Sequence, residues 1–204
     1  MKKLIIAPHV DDDILGCGGI LDEDCLVVYC GIDDFHVVSR EERIQEAQSA
    51  SDLLGHSFKI LHGNRVNHYD NSLIDQISKQ INIFKPDQIY IPYPSYNQDH
   101  RTVYQCSLIA LRPHDINYFV KEVLIYEQPH VYMWDFTHDL DSVFKPNCFI
   151  PIDINKKIDA YKCMKSQVRN FRSIDTVTSL ATMRGSQSNL KHAEAFKIIR
   201  SVRK

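Results

Sequence analysis

The sequence predicts an α/β fold: a single Rossmann-like domain with a mostly parallel sheet and helices on both faces. Three observations carry that prediction. Short β-branched runs recur through residue 127, helix-period segments separate them, and polar clusters follow the first and fourth runs. Strands that alternate with helices need crossover connections, and crossovers build parallel sheets covered on both sides.

Each element has its own reason. Residues 3–8 are continuous and apolar, as a strand buried on both faces must be. Residues 13–21 contain Gly16, Gly18 and Gly19 and read as a glycine-rich turn into a short helix. Residues 26–30 are a second buried strand. In residues 40–54, Ile44, Ala47, Ala50, Leu53 and Leu54 recur at helical spacing, and Gly55 stands where a helix-ending glycine belongs. A third strand at 58–61 precedes a helix over 72–84, which ends before Pro86. A fourth strand, 87–92, is stopped by Pro92 and Pro94. A helix over about 101–112 and a fifth strand at 122–127 follow. The last third is less regular. Residues 148–152 read as an edge strand, 155–167 and 190–202 as helices, and the Ser/Thr-rich stretch 170–189 as a loop. No repeat, low-complexity tract or linker divides the chain, so residues 1–204 are expected to form one domain.

Composition excludes several classes. Hydrophobic residues make up 44% of the 204 and charged residues 25%, which excludes a disordered tail, a collagen-like chain or a coiled coil. No apolar run is long enough to span a bilayer. Net charge is −2, with 24 basic and 26 acidic residues mixed along the chain, so no basic stripe points to nucleic acid. A small-molecule partner is the default. The N-terminal apolar run meets Asp11 before a signal-peptide core is complete, so a cytoplasmic location is expected. The six cysteines form no CxxC pair and read as buried thiols in a reducing compartment.

The chemistry gathers at two strand ends, where sites form in open parallel sheets. His9, Asp11, Asp12 and Asp13 follow the first strand; Ser95 to His100 follow the fourth. Three adjacent carboxylates repel one another unless a cation joins them. One reading is a solvated acidic turn in which Asp12 or Asp13 caps the next helix. The other uses His9, Asp12 and His100 as three N and O ligands of a divalent metal with an open position for water. Asp11 would then stand beside that water as a base. His130 follows the fifth strand and is a candidate for the pocket lining. Trp134 with Tyr132 and Phe136 reads either as a sugar-stacking loop or as packing. Arg184, beside Gly185 in the expected loop, reads either as a substrate contact or as part of a solvated turn.

His9 to Asp13, running into Ile14-Leu15-Gly16-Cys17-Gly18-Gly19, closely resembles the signature of the PIG-L/LmbE-like N-acetylglucosaminyl de-N-acetylases. Arg43, Glu46, Ala50, Leu54 and Gly55 are similar to that family's helix block, and Gln98-Asp99-His100 to its block after the fourth strand. Lys165-Ser166-Gln167 and Ala193 to Phe196 resemble two C-terminal blocks. The resemblance implies a Rossmann-like fold, bound Zn²⁺, and hydrolysis of an N-acetyl group from an amino sugar. It makes His9, Asp12 and His100 metal ligands, Asp11 the general base and Asp99 a carboxylate orienting a neighbouring group. Arg43 would reach toward the sugar or a phosphate-bearing aglycone; its other reading is a surface ion pair with Glu46 or Glu41. The sugar could be lipid-, nucleotide- or thiol-linked, a homo-oligomer is compatible, and Fe²⁺ suits a His₂Asp site as well as Zn²⁺ does.

The chain departs from the family pattern at Val10, Asp13 and Asn97. Asn97 stands where many members carry a histidine thought to act as acid or oxyanion donor. An amide donates a hydrogen bond but supplies no proton. Tyr96, His130 or His192 would take over, or Asp11 would make both transfers. Two rivals remain: a metal-keeping sugar-conjugate binding protein with little turnover, and a Mg²⁺-dependent phosphatase using Asp11 and Asp13. A dinucleotide-binding protein is disfavoured, because Gly16-Cys17-Gly18-Gly19 is not GxGxxG and the acidic run repels a pyrophosphate.

Overall fold

A computed structural model describes residues 1–32, 38–62, 66, 68–114, 116–129 and 144–203. Among the described residues seven strands form one sheet: β1 (Lys3–Ala7), β2 (Cys25–Tyr29), β3 (Ser57–Ile60), β4 (Gln88–Pro92), β5 (Glu122–Tyr126), β6 (Cys148–Pro151) and β7 (Ala193–Ser201). Their order is β3-β2-β1-β4-β5-β7-β6. The first five are parallel, with Ile5 opposite Val27 on one side and Tyr90 on the other. β7 then runs antiparallel between β5 and β6.

Period-two alternation sends β1 side chains to two cores. Ile5 and Ala7 face one, closed by α1 (Asp12–Cys17), α2 (Arg40–Leu54), α5 (Ile154–Cys163) and α6 (Ile174–Gln187). Leu4 and Ile6 face the other, closed by α3 (Asn71–Phe84) and α4 (Gln98–Ala110). The expected mostly parallel sheet with helices on both faces is therefore present. The edge strand expected at 148–152 is β6, at one border of the sheet. None of the six cysteines is in a disulfide, and four are buried. No helix among the described residues is long and apolar enough to cross a membrane.

Two expectations in the last third are corrected. Residues 190–202 are not a helix, because 193–201 are strand β7. Ala193, Glu194 and Ala195 favour helix locally, but ladder bonds to both β5 and β6 outweigh that preference. Residues 170–189 are not a loop throughout, because 174–187 are helix α6. Ser173 caps it by accepting from the Thr176 amide at 3.2 Å. The hydroxyls of Thr178 and Thr182 return to carbonyls one turn back, at 2.8 Å each, so these polar residues sit inside the helix satisfied. Val177, Ala181 and Arg184 make its buried face.

Gly16 lets α1 lie directly on the Tyr126 ring. A Cβ there would stand 2.2 Å from Tyr126 Cδ2, and the Tyr126 hydroxyl is pinned by donating to Ile6 O at 2.9 Å. Gly16→Ala is therefore expected to destabilise the protein by about 1–3 kcal/mol through overpacking, read from the shift of the urea midpoint at unchanged slope.

Candidate metal centre

The strand order reverses between β1 and β4, and such a switch point opens a crevice at the carboxyl ends of the strands. The turn leaving β1 brings His9 to Asp13 there; the turn leaving β4 brings Ser95 to His100. Asn97 caps α4, its Oδ1 accepting from the Asp99 amide at 3.0 Å, which sets Asp99 and His100 in the first turn. Asp12 and Asp13 lie inside the first turn of α1 rather than capping it. Asp11, which precedes them, has φ 136° and ψ −25°, a conformation that L-residues rarely adopt and that functional sites tend to keep.

One ligand atom from each of His9, Asp12 and His100 lies within 4.8 Å of the other two. Asp12 Oδ2 is 3.2 Å from His9 Nδ1 and 3.4 Å from His100 Nε2. His9 Nε2 lies 2.7 Å from Asp99 Oδ2, which turns Nδ1 toward Asp12. A carboxylate on the far nitrogen is the usual way a metal-binding imidazole is oriented. Asp12 Oδ1 accepts from Gln128 Nε2 at 2.6 Å, so its carboxylate presents one oxygen to the two imidazoles. All three residues are buried. Two imidazole nitrogens and one buried carboxylate oxygen, all within 4.8 Å of one another, fit a divalent zinc or ferrous ion in chemistry and spacing.

Electrostatics separates the three acids. Burial raises the Asp12 carboxyl, yet the His100 and His9 rings outweigh it and hold the group far below the usual carboxylate range. Burial pushes Asp11 up against the pull of the Arg172 guanidinium. Asp13 is driven up to about 7 by burial, and it faces elsewhere: it accepts from the Tyr29 hydroxyl at 2.9 Å and lies 3.8 Å from His56. Asp11 and Asp13 thus have separate partners. Burial lowers His100 to about 4, the neutral form a metal ligand requires.

The structure places the remaining sequence candidates as follows. Arg43 is buried, not on the surface. It donates to Glu46 Oε2 and Ser166 Oγ at 3.2 Å each and to the Val10 carbonyl. Arg184 lies in α6 rather than a loop, and its Nε and Nη2 hold both oxygens of Glu127 at 2.7 and 2.6 Å. Tyr96 is in the turn before α4, where its carbonyl accepts from Arg101 at 2.9 Å. His192 precedes β7, its carbonyl facing the Ile152 amide at 3.3 Å. His130, Tyr132, Trp134 and Phe136 lie outside the described residues.

Sequence reasoning missed Gln128 and Arg172. Gln128 stands beyond a strand end, which is a weak signal by itself. Arg172, which donates to Asp11 Oδ2 at 2.8 Å, has no local signal in the sequence at all. Because Gln128 steers the Asp12 carboxylate, Gln128→Ala is expected to weaken metal affinity by about 10–100-fold with the fold retained. Competition against a chelator of known affinity measures this.

An open α/β sheet with paired histidines and a carboxylate at its switch point defines a Rossmann-like protein with a candidate metal centre. More particularly, the chain belongs to the PIG-L family, described as GlcNAc-PI de-N-acetylase, whose model matches residues 4–111. No curated protein sequence matches it. Among solved structures it is similar to an N,N'-diacetylchitobiose deacetylase from Pyrococcus horikoshii, at 20% identity and TM-score 0.77, over 98% of this chain and 84% of that one. It is similar also to a 4-carboxy-2-hydroxymuconate hydratase from Pseudomonas putida KT2440, at 18% identity and TM-score 0.81, over 100% and 98% of the two chains. A third is the zinc inhibited form of teicoplanin deacetylase, at 15% identity and TM-score 0.70, over 100% of both.

Proposed function

We propose that this protein is a metal-dependent N-deacetylase that hydrolyses the acetamide of an amino sugar or its conjugate, releasing acetate and a free amine. The observation that carries the reading is the convergence of His9, Asp12 and His100, with Asp99 behind His9 and Asp11 next in the chain. Zinc is the metal proposed, and ferrous iron suits the same donors. A divalent ion held by those residues supplies Lewis acidity toward water and the acyl oxygen.

The chain's own residues supply the rest. Asp99 holds the His9 ring in one orientation and fixes which nitrogen faces the centre. Asp11 takes the proton of the attacking water. Asn97, at the start of α4, is a hydrogen-bond donor and not an acid. Asp11 therefore returns the proton it has taken, delivering it to the departing amine nitrogen as the C–N bond breaks. Arg43 works through the protein here: its Nη1 and Nη2 are turned to Val10, Glu46 and Ser166, bracing the turn that carries Asp11.

The fold alone does not select this reaction, since a hydratase shares it. The test is amine and acetate release from a panel of N-acetyl amino sugars by protein loaded with one equivalent of zinc. Stoichiometric loading is chosen because a related deacetylase has a zinc-inhibited form. Equimolar amine and acetate is the expected result. Zinc bound without amine from any substrate would instead favour a silent binding protein, and hydration of an unsaturated acid would move the reading to the hydratases. Phosphate release with Mg²⁺ would favour the phosphatase.

A further inference from the structure

We propose that Arg172 is a positioning residue for Asp11, tethering Oδ2 so that Oδ1 is the oxygen that takes the proton from water. The inference rests on the deacetylase reading and adds to it a residue and an atom. Three observations carry it.

First, the two oxygens of Asp11 differ. Oδ2 accepts from Arg172 Nη1 at 2.8 Å. Oδ1 accepts no hydrogen bond from the described residues, and Arg43 Nη2 stands off from it at 3.9 Å. Second, the tether is itself held. Tyr161, fully buried, places its hydroxyl 3.0 Å from the Gln167 carbonyl and 2.7 Å from the Arg172 carbonyl. The Arg172 amide closes a turn onto Arg169 O at 3.0 Å, and Arg172 Nη2 donates to Gln167 Oε1.

Third, the contacts close into a ring. Gln167 Nε2 donates to Ser166 Oγ at 2.9 Å, and Ser166 Oγ donates to Glu46 Oε2 at 2.7 Å. Glu46 pairs with Arg43, which returns to the Val10 carbonyl beside Asp11. The ring thus starts on the Asp11 carboxylate and ends on the peptide before it, holding both sides of a residue whose φ is 136°. Stability alone is a poor explanation for such a ring. The Asp11 and Arg172 side chains are 3% and 14% exposed, and buried ion pairs are often neutral for stability compared with apolar packing. Orientation is what the ring provides: a proton acceptor misplaced by about 1 Å costs on the order of 100-fold in rate.

The experiment compares zinc-loaded wild type, Arg172→Ala and Arg172→Lys on whichever sugar the wild type turns over. For Arg172→Ala we expect kcat lower by about 100-fold, KM within about twofold and zinc content unchanged. Arg172→Lys, or added millimolar guanidinium with the alanine variant, is expected to restore part of kcat. A rise in KM alone would make Arg172 a substrate contact, and a loss that neither lysine nor guanidinium relieves would make it structural; either overturns the proposal. Crystal structures of zinc-loaded wild type and Arg172→Ala provide a readout without turnover. An Asp11 carboxylate in the same place in both would overturn the tether, even if the wild type proved inactive and the deacetylase reading had failed separately.

Discussion

Asp11→Asn is expected to lower kcat by about 1,000-fold while leaving the metal in place. General-base catalysis is worth about 10²–10⁴-fold, and in the proposed mechanism one group carries both proton transfers. The amide is isosteric and its oxygen still accepts from Arg172, so the ring around the turn survives. Asp11 supplies none of the three converging donor atoms, so one equivalent of zinc is retained. Stability should hold or rise slightly, because burial disfavours the Asp11 charge more than Arg172 favours it. The measurements are kcat and KM for amine release, zinc by mass spectrometry of the purified protein, and the thermal midpoint. Turnover within about tenfold of wild type would remove Asp11 from the base role. Loss of zinc together with turnover would recast it as a ligand.

Asn97 sharpens this expectation. Its Oδ1 is already engaged at the α4 N-terminus, so the side chain is oriented by the helix it caps. In the proposed mechanism, with no acid at position 97, both transfers fall to Asp11. The loss in Asp11→Asn should therefore extend to the amine-departure step as well as to the attack of water.

The parts of the site that were legible in the sequence are those fixed by local chain geometry. A buried strand that stops at a polar cluster places that cluster at the sheet's carboxyl edge, whichever residues surround it. His9 and Asp12 are three apart on one turn and His100 ends the matching strand, so their convergence follows from parallel order alone. The tethers were not legible, because they come from far along the chain. Gln128 reaches Asp12 across 116 residues and Arg172 reaches Asp11 across 161. No periodicity or spacing encodes such contacts; Gln128 stands just past β5, and Arg172 depends on how α5 and the segment after it pack against α2. The same reason explains the misread last third. Helix α6 is polar by composition but buries one face, and β7 is helix-prone by composition but has strands on both sides. In each case the neighbours decided.

Asp12→Ala is the substitution with the widest expected consequence. One oxygen, Oδ2, receives the His9 amide at 2.9 Å and lies between the two imidazoles, while Oδ1 takes the Gln128 amide. Removing the carboxylate takes away the only anion among the three donors. Metal affinity should fall by well over the roughly 100-fold that an outer contact is worth. Turnover should vanish with it. Two donors, His9 N and Gln128 Nε2, would also lose their acceptor in a buried site, at about 1–3 kcal/mol each. Relief of burying a charge offsets part of that cost. Asp12→Asn separates the two effects: it keeps an acceptor and the packing but not the charge. It leaves one acceptor for two buried donors, so its thermal midpoint without metal should fall, though less than that of Asp12→Ala, and it should hold zinc far more weakly. Calorimetric zinc titration of the three proteins, with unfolding followed in chelator, reads both quantities. If Asp12→Asn bound zinc as tightly as wild type, charge at position 12 would not be what holds the ion, and the His9–Asp12–His100 centre would have to be abandoned.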